Sequence, residues 1–222
     1  MNCVLCGGET KNIYKHCLFK TNIDVCKICG YTFESEHVTL NKNVIYNNQS
    51  NNSGTFGLNK QRNLYYVNIL QNIKNKTNIK KLLEIGTPSN YDFLKRTNEK
   101  FKDIKIYSHD IIENTYPDYI SFYKEKDSLL KENIDILFCI HTLEHIPVYE
   151  ILDFVKFCES VCKYYVFEIP CCETKERILK SSTNPHYSFF SENIIRSIFK
   201  DKIEVSKNKT ILKFNNLPFK LY

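Results

Sequence analysis

The chain has 222 residues, with 31 basic against 25 acidic side chains and a net charge of +6. With 42% hydrophobic and 25% charged residues, it lies near the globular average, which excludes wholesale disorder, a collagen-like repeat and a fibrous coiled coil, and leaves room for one main core plus a small appendage. The lysines are scattered with no block of like charge, so nothing marks a polyanion binder, and the absence of alanine and tryptophan beside abundant Lys, Asn and Ile reads as coding bias.

No stretch approaches the roughly 18 apolar residues of a membrane span, and the opening MNCVLCGGET lacks the basic-then-apolar layout of a secretory signal. The expectation is a cytoplasmic protein without a membrane span. Ten cysteines in such a chain point to reduced thiols and metal ligation rather than to a disulfide framework. Cys3 with Cys6 and Cys26 with Cys29 form two C-x-x-C pairs separated by 19 residues, the spacing of a closed four-cysteine zinc site. Two residues between thiolates let both sulfurs of a tight turn face one ion, and Gly7 and Gly30 follow where such knuckles need positive φ. Residues 1–40 are therefore expected to form a zinc-binding module whose folding depends on a structural metal. His16 and Cys17 lack the paired spacing and are left as packing or surface residues. Residues 41–57, polar and turn-rich, read as a linker or a lid.

From residue 58 onward strands alternate with helices. Tyr66, Ile69, Leu70 and Ile73 fall at i, i+3, i+4 and i+7 and predict an amphipathic helix. KKLLEIG predicts a buried strand ending at Gly86, Phe93, Leu94 and Phe101 mark a helix, and DIKIYSHDI predicts a second strand ending near Asp110. ISFY is a short strand and NIDILFCI a well-marked one. Ile151, Val155, Cys158 and Cys162 then form a helical stripe, which makes the last two core residues rather than metal ligands. KYYVFEIP predicts another strand, SENIIRSIF a helix capped by Ser191, and KIEVSKN with TILKF a terminal antiparallel hairpin. The expected fold class is α/β: a Rossmann-like, mostly parallel sheet with helices on both faces over residues 58–222, beside the small N-terminal zinc ribbon. Ligands of such sheets bind beyond the carboxyl ends of the strands, just after EIG, HD, CI and EIP.

These segments, LLEIG, the acidic end of the second strand, NIDILFCIHTLEHIP, FEIP and NPHYSFFS, resemble class I S-adenosylmethionine-dependent methyltransferases, especially those prefixed by a cysteine-rich zinc module. The resemblance covers nearly the whole chain. It implies a methyl transfer to a small polar acceptor, such as a hydroxyl of a sugar, a sugar nucleotide or a phosphorylated metabolite in surface-polysaccharide biosynthesis. By the resemblance, Glu84 orients the methionine end of the cofactor, Asp110 holds the ribose with Ile111 beside it, Asp127 receives the adenine amino group, and Ile140 and His141 line the pocket. The residues agree in part on their own: a glycine turn at Gly86 followed some 20 positions later by Asp110 is what a nucleoside with free ribose hydroxyls requires. Asp127 reads equally as a helix N-cap before SLL. The family's G-x-G-x-G loop is altered here to Gly86, Pro88 and Asn90.

Methyl transfer to a hydroxyl needs alignment and a base. His145, just past the fourth strand, is the first candidate, with Glu144 to orient a ring or a substrate hydroxyl, and His186 in NPHYSFF is the second. The string HTLEH matches the H-x-x-E-H zinc-peptidase pattern, but Pro147 and the preceding strand oppose the helix that pattern needs. Cys171 and Cys172 read as loop structure. An RNA methyltransferase would require a basic, aromatic-bearing surface, and no such cluster shows in the sequence. A noncatalytic binding protein on a degenerate loop is the other alternative.

Overall fold

The computed structural model describes residues 2–36, 60–88 and 90–199, and the backbone of 203–205 and 210–214. The segment read as a linker or lid lies outside the described residues. Two units divide the chain: one draws on Met1–Leu40, Ile140–Phe157 and Phe167–Phe214, the other on Asn41–Cys139, Cys158–Val166 and Asn215–Tyr222.

In the first unit, the two cysteine pairs sit on matching turns. Gly7 N–H donates to the Cys3 carbonyl (2.8 Å) and Gly30 N–H to the Cys26 carbonyl (3.0 Å). The predicted positive φ is present at both glycines, 72° and 77°. Between the turns run β1 (Thr10–Lys15) and β2 (Asn22–Cys26), antiparallel from Thr10↔Cys26 to Lys15↔Asn22, and β3 (Thr32–Glu34) continues the sheet beside β2. The fourth strand of this sheet comes from far along the chain, with Ser188 and Phe189 of HYSFF pairing antiparallel to Phe33 and Thr32. Ile23 of β2 and Phe189 of the fourth strand share a core with Cys172 and Ile178. Cys172, read from the sequence as loop structure, lies outside regular structure and is buried in this core.

In the second unit, α1 (Lys60–Lys74) buries Tyr66, Ile69, Leu70 and Ile73, the four residues of its predicted stripe. β4 (Lys81–Ile85), β5 (Lys105–His109), β6 (Ile120–Tyr123) and β7 (Ile134–Ile140) are parallel wherever they pair: β4 with β5, β5 with β6, and β4 with β7. Their near-continuous apolar runs are what burial on both faces of a parallel sheet demands. α2 (Asp92–Lys100) follows β4, and Phe93 packs on Phe138 of β7 with ring centroids 4.8 Å apart.

α3 (Ile151–Val161) and β8 (Cys162–Pro170) run across the boundary between the units, and α4 (Lys175–Ser181), β9 (Ser188–Phe189) and α5 (Glu192–Ile198) follow. Ser191 caps α5 as predicted, accepting from Ile194 N–H. The predicted stripe overruns its helix by one residue. Cys162 opens β8 instead of ending α3, and its thiol turns back onto the Cys158 carbonyl at 3.1 Å. β10 (Ile203–Val205) and β11 (Thr210–Phe214) form the expected antiparallel hairpin.

The large sheet has the order β10-β11-β8-β7-β4-β5-β6. Strands β4 to β6 build outward in one direction, then the chain returns to the other side of β4 for β7 and β8. That reversal is a topological switch point, where open α/β sheets bind ligands beyond their carboxyl ends. This is the mostly parallel α/β architecture expected from the sequence, with the antiparallel hairpin at its edge.

Candidate active site

Two carboxylates stand at the ends of neighbouring strands, Glu84 near the end of β4 and Asp110 just past β5. Glu84 is 3% exposed, and its Oε2 has no hydrogen-bond partner among the described residues. Burial pushes its carboxyl up to about 8, and the charge of Asp110 adds to the shift. Burial likewise raises Asp110 to about 6, against the backbone N–H groups of Ile112 and Ile111. The Ile112 N–H donates to Asp110 Oδ1 at 2.9 Å. The buried Glu84 oxygen without a donor, beside the half-buried Asp110, makes a site that rewards hydroxyls or a cationic amine.

The floor of this site is fixed by short polar links. Ser108 Oγ donates to Thr87 Oγ1 (2.9 Å), and Thr87 Oγ1 to the Glu84 carbonyl (3.2 Å). Gly86 turns with φ 76°, its N–H held by the His109 carbonyl at 2.9 Å. In place of the second and third glycines of the loop, the Pro88 carbonyl accepts from Tyr91 N–H (2.9 Å), and Tyr91 takes a left-handed φ of 34°. Tyr116 leans on Tyr91 edge-on and donates its hydroxyl to the Thr87 carbonyl (3.2 Å). Ile111 is 49% exposed beside Asp110. Asp127 is exposed in the first turn of a short 3-10 helix, Lys126–Lys131, whose N-cap is Glu125. The N-cap role considered for Asp127 therefore belongs to Glu125.

A second cluster follows β7 and β8. Ile140 ends β7, and His141 leaves it with φ 51°, a conformation costly for a side chain with a Cβ. Its ring bridges two buried acids, with Nδ1 3.2 Å from Glu144 Oε1 and Nε2 3.5 Å from Glu168 Oε2. Glu144 is 1% exposed. Its burial opposes ionisation, but the His141 hydrogen bond and the neighbouring imidazoles outweigh that and hold the carboxyl down to about 2.

His145 Nδ1 donates to the Pro185 carbonyl at 3.0 Å, a bond that leaves the lone pair on Nε2. Its ring stands edge-on to His186, centroids 4.6 Å apart. Burial pushes His145 down, and burial with the adjoining His145 pushes His186 down to about 3. Both rings are thus neutral at pH 7. The three predicted catalytic residues Glu144, His145 and His186 come together, with one donor atom of each within 4.8 Å of the others. Leu143–His145 is a single 3-10 turn, so the helix required by the zinc-peptidase pattern is not formed.

The small sheet holds His186 in place. His16, fully buried, accepts from Leu18 N–H and Phe19 N–H at Nδ1, which fixes its proton on Nε2 for donation to the His186 carbonyl at 2.9 Å. Burial lowers His16 to about 4 and keeps that tautomer neutral. Glu34 N–H donates to the Tyr187 carbonyl (2.8 Å), and the Tyr31 hydroxyl meets Ser188 Oγ at 2.6 Å. Sequence reasoning took His16 for a packing or surface residue, and the structure buries it fully; that reasoning gave no role to Glu168. The last had a signal, since Glu168 interrupts the apolar run of VFEIP as Glu84 interrupts that of LLEIG.

The four cysteines converge as their spacing requires. Cys3 and Cys29 sulfurs are 3.7 Å apart and those of Cys6 and Cys26 3.4 Å, against roughly 3.8 Å for thiolates tetrahedral about zinc. Gly8 is where backbone passes close to this group: a Cβ there would meet Cys26 Sγ at 3.1 Å and the Ile28 side chain at 2.8 Å.

No protein-family model matches the sequence, and no curated protein matches it. Among solved structures, the chain is similar to an O-methyltransferase family protein from Burkholderia thailandensis, at 9% identity over 69% of this chain and 55% of that one, with a TM-score of 0.52. It is also similar to the plantazolicin methyltransferase BpumL in complex with a triazolic desmethylPZN analog and SAH, at 12% identity over 76% and 75% of the two chains, TM-score 0.52. The chain therefore spans just over half the length of the first of these and three quarters of the second. The likeness is one of fold, and that fold is the α/β fold on which these methyltransferases are built. Among the described residues, no helix is long and apolar enough to cross a membrane.

Proposed function

We propose that the protein is a class I methyltransferase that moves a methyl group from S-adenosylmethionine to an oxygen of a small polar acceptor. The observation that carries this reading is the buried Glu84 and the half-buried Asp110 at the carboxyl ends of adjacent parallel strands of a methyltransferase-like sheet. Asp110 would accept from the ribose hydroxyls, and the orphaned Oε2 of Glu84 from the ammonium of the methionine end. Gly86 has no side chain to keep the cofactor from the turn; Ile111, Ile140 and His141 are assigned to the cofactor by resemblance alone. The exposed Asp127 is assigned to the adenine amino group by resemblance alone.

When bound, the cofactor supplies an electrophilic methyl group on a sulfonium sulfur. Transfer of that methyl group to an acceptor oxygen would require the hydroxyl proton to leave. The neutral His145 offers Nε2 for that proton, with its ring orientation set by the Pro185 carbonyl. Glu144 orients the acceptor, and His186 is the second candidate for base. The Cys3, Cys6, Cys26 and Cys29 group is proposed as a structural zinc site, whose module of residues 1–40 supports the segment carrying His186. By resemblance the acceptor is a sugar, a sugar nucleotide or a phosphorylated metabolite in surface-polysaccharide biosynthesis, and the site of action is the cytoplasm.

Calorimetric titration of the zinc-loaded protein with S-adenosylmethionine and with its demethylated product tests the reading. Saturable one-site binding of both is expected. No binding by a folded sample would sink it in favour of a noncatalytic protein on the same fold.

A further inference from the structure

The unclaimed feature of the molecule is the oxygen Glu144 Oε2. It is buried, has no hydrogen-bond partner among the described residues, and belongs to a carboxylate whose other oxygen meets His141 alone at 3.2 Å. Two imidazoles stand beside it, yet neither hydrogen-bonds to it. Each is tied by its Nδ1 to a different group: His145 to the Pro185 carbonyl at 3.0 Å, His186 to Ser181 Oγ at 2.6 Å. That leaves an Nε2 on each ring for another partner.

Histidines that bind metals are characteristically anchored this way, with the far ring nitrogen held by a carbonyl, carboxylate or hydroxyl. A buried carboxylate oxygen without a donor is expensive to maintain, whereas a carboxylate with two anchored imidazoles close by is a ready ligand. Two histidines and one carboxylate with further positions open is the donor set of catalytic zinc and of non-haem iron sites.

We propose that Glu144, His145 and His186 bind one divalent first-row transition-metal ion, distinct from the four-cysteine site and on the acceptor side of the reaction. Their donor atoms lie within 4.8 Å of one another. Metal–ligand bonds of about 2.1 Å bring such atoms to roughly 3.0–3.5 Å, a contraction that modest side-chain rotation supplies. The set draws on a 3-10 turn after β7 and on the segment leading into β9, both rigidly hydrogen-bonded, since Tyr187 N–H donates to the Glu144 carbonyl at 2.9 Å. The inference deepens the reading of this cluster as the acceptor site and rests on it for its role. The ion takes over the task assigned above to the bare His145 ring, because an acceptor hydroxyl in an open coordination position ionises more readily.

The test is a cobalt titration of the full chain after its cysteine site has been filled with zinc. One equivalent of cobalt is expected to bind, with visible d–d absorption and no sulfur charge-transfer band. Glu144→Gln and His186→Asn, each checked for native circular dichroism and retained zinc, should weaken uptake by at least about 10-fold. Absence of saturable uptake by the unaltered chain overturns the site, as does uptake undiminished in both variants. Cofactor binding is measured in the same samples: cobalt uptake without it supports the ion site while removing the methyltransferase reading, and cofactor binding without uptake does the reverse.

Discussion

Asp110 and His145 carry opposite halves of the proposed reaction, and substitutions separate them. Asp110→Ala removes a charged acceptor from the cofactor's ribose, so affinity for S-adenosylmethionine should fall by about 1–3 kcal/mol by calorimetry; unchanged affinity in a folded variant would take Asp110 out of the site. His145→Ala should lower kcat by about 10²–10⁴-fold while cofactor affinity holds, the signature of a group that acts only as the acceptor ionises. Both positions were legible in the sequence, Asp110 directly after the apolar run of β5 and His145 in the turn past that of β7. Glu168 and His16 were not. Glu168 lies inside such a run, and the role of His16 comes from a carbonyl 170 positions away in the chain, a pairing that no local spacing encodes.

The strands of the large sheet, three to nine residues long, were all readable from an apolar run or an alternation. β9 was not, because two residues have no period, and its place is set by β3. Metal and strand are coupled through that pairing. Stripping zinc with a chelator, or changing Cys29→Ser, should unfold β1 to β3 and release β9 with them. Hydrogen exchange would then speed up together at residues 32–34 and at 187–189, whereas exchange confined to the first group would show that β9 is held by other contacts. The same pairing explains why HYSFF looked distinctive without suggesting a strand: Tyr187, Ser188 and Phe189 are spaced for a partner sheet, not for a stripe of their own.

For the chain as a whole, the raised carboxyls set a pH dependence with a definite sign. A carboxyl pKa above its ordinary value means that the fold favours the protonated form. The contribution of Asp110 is fully present below about 4 and is lost as pH rises to about 6; that of Glu84 is lost on the way to about 8. A ligand that donates hydrogen bonds or brings a positive charge favours the ionised forms and reverses the trend. Affinity for S-adenosylmethionine should therefore increase from pH 5.5 to pH 8, with protons released on binding, as calorimetry in buffers of different ionisation heat would show. A flat profile would mean that neither carboxyl meets the cofactor. No composition-based argument reaches this, since the shifts come from burial that only the assembled sheet creates.

The pairing of β3 with β9 also bears on how such a chain can change over generations. The N-terminal module supplies the Tyr31 hydroxyl to Ser188, the His16 proton to the carbonyl of His186, and one whole edge to β9. Exchange of the first forty residues for those of a distant homologue would break all three links unless residues 186–189 travelled with them. The two segments should thus be inherited as one unit although 170 positions separate His16 from His186.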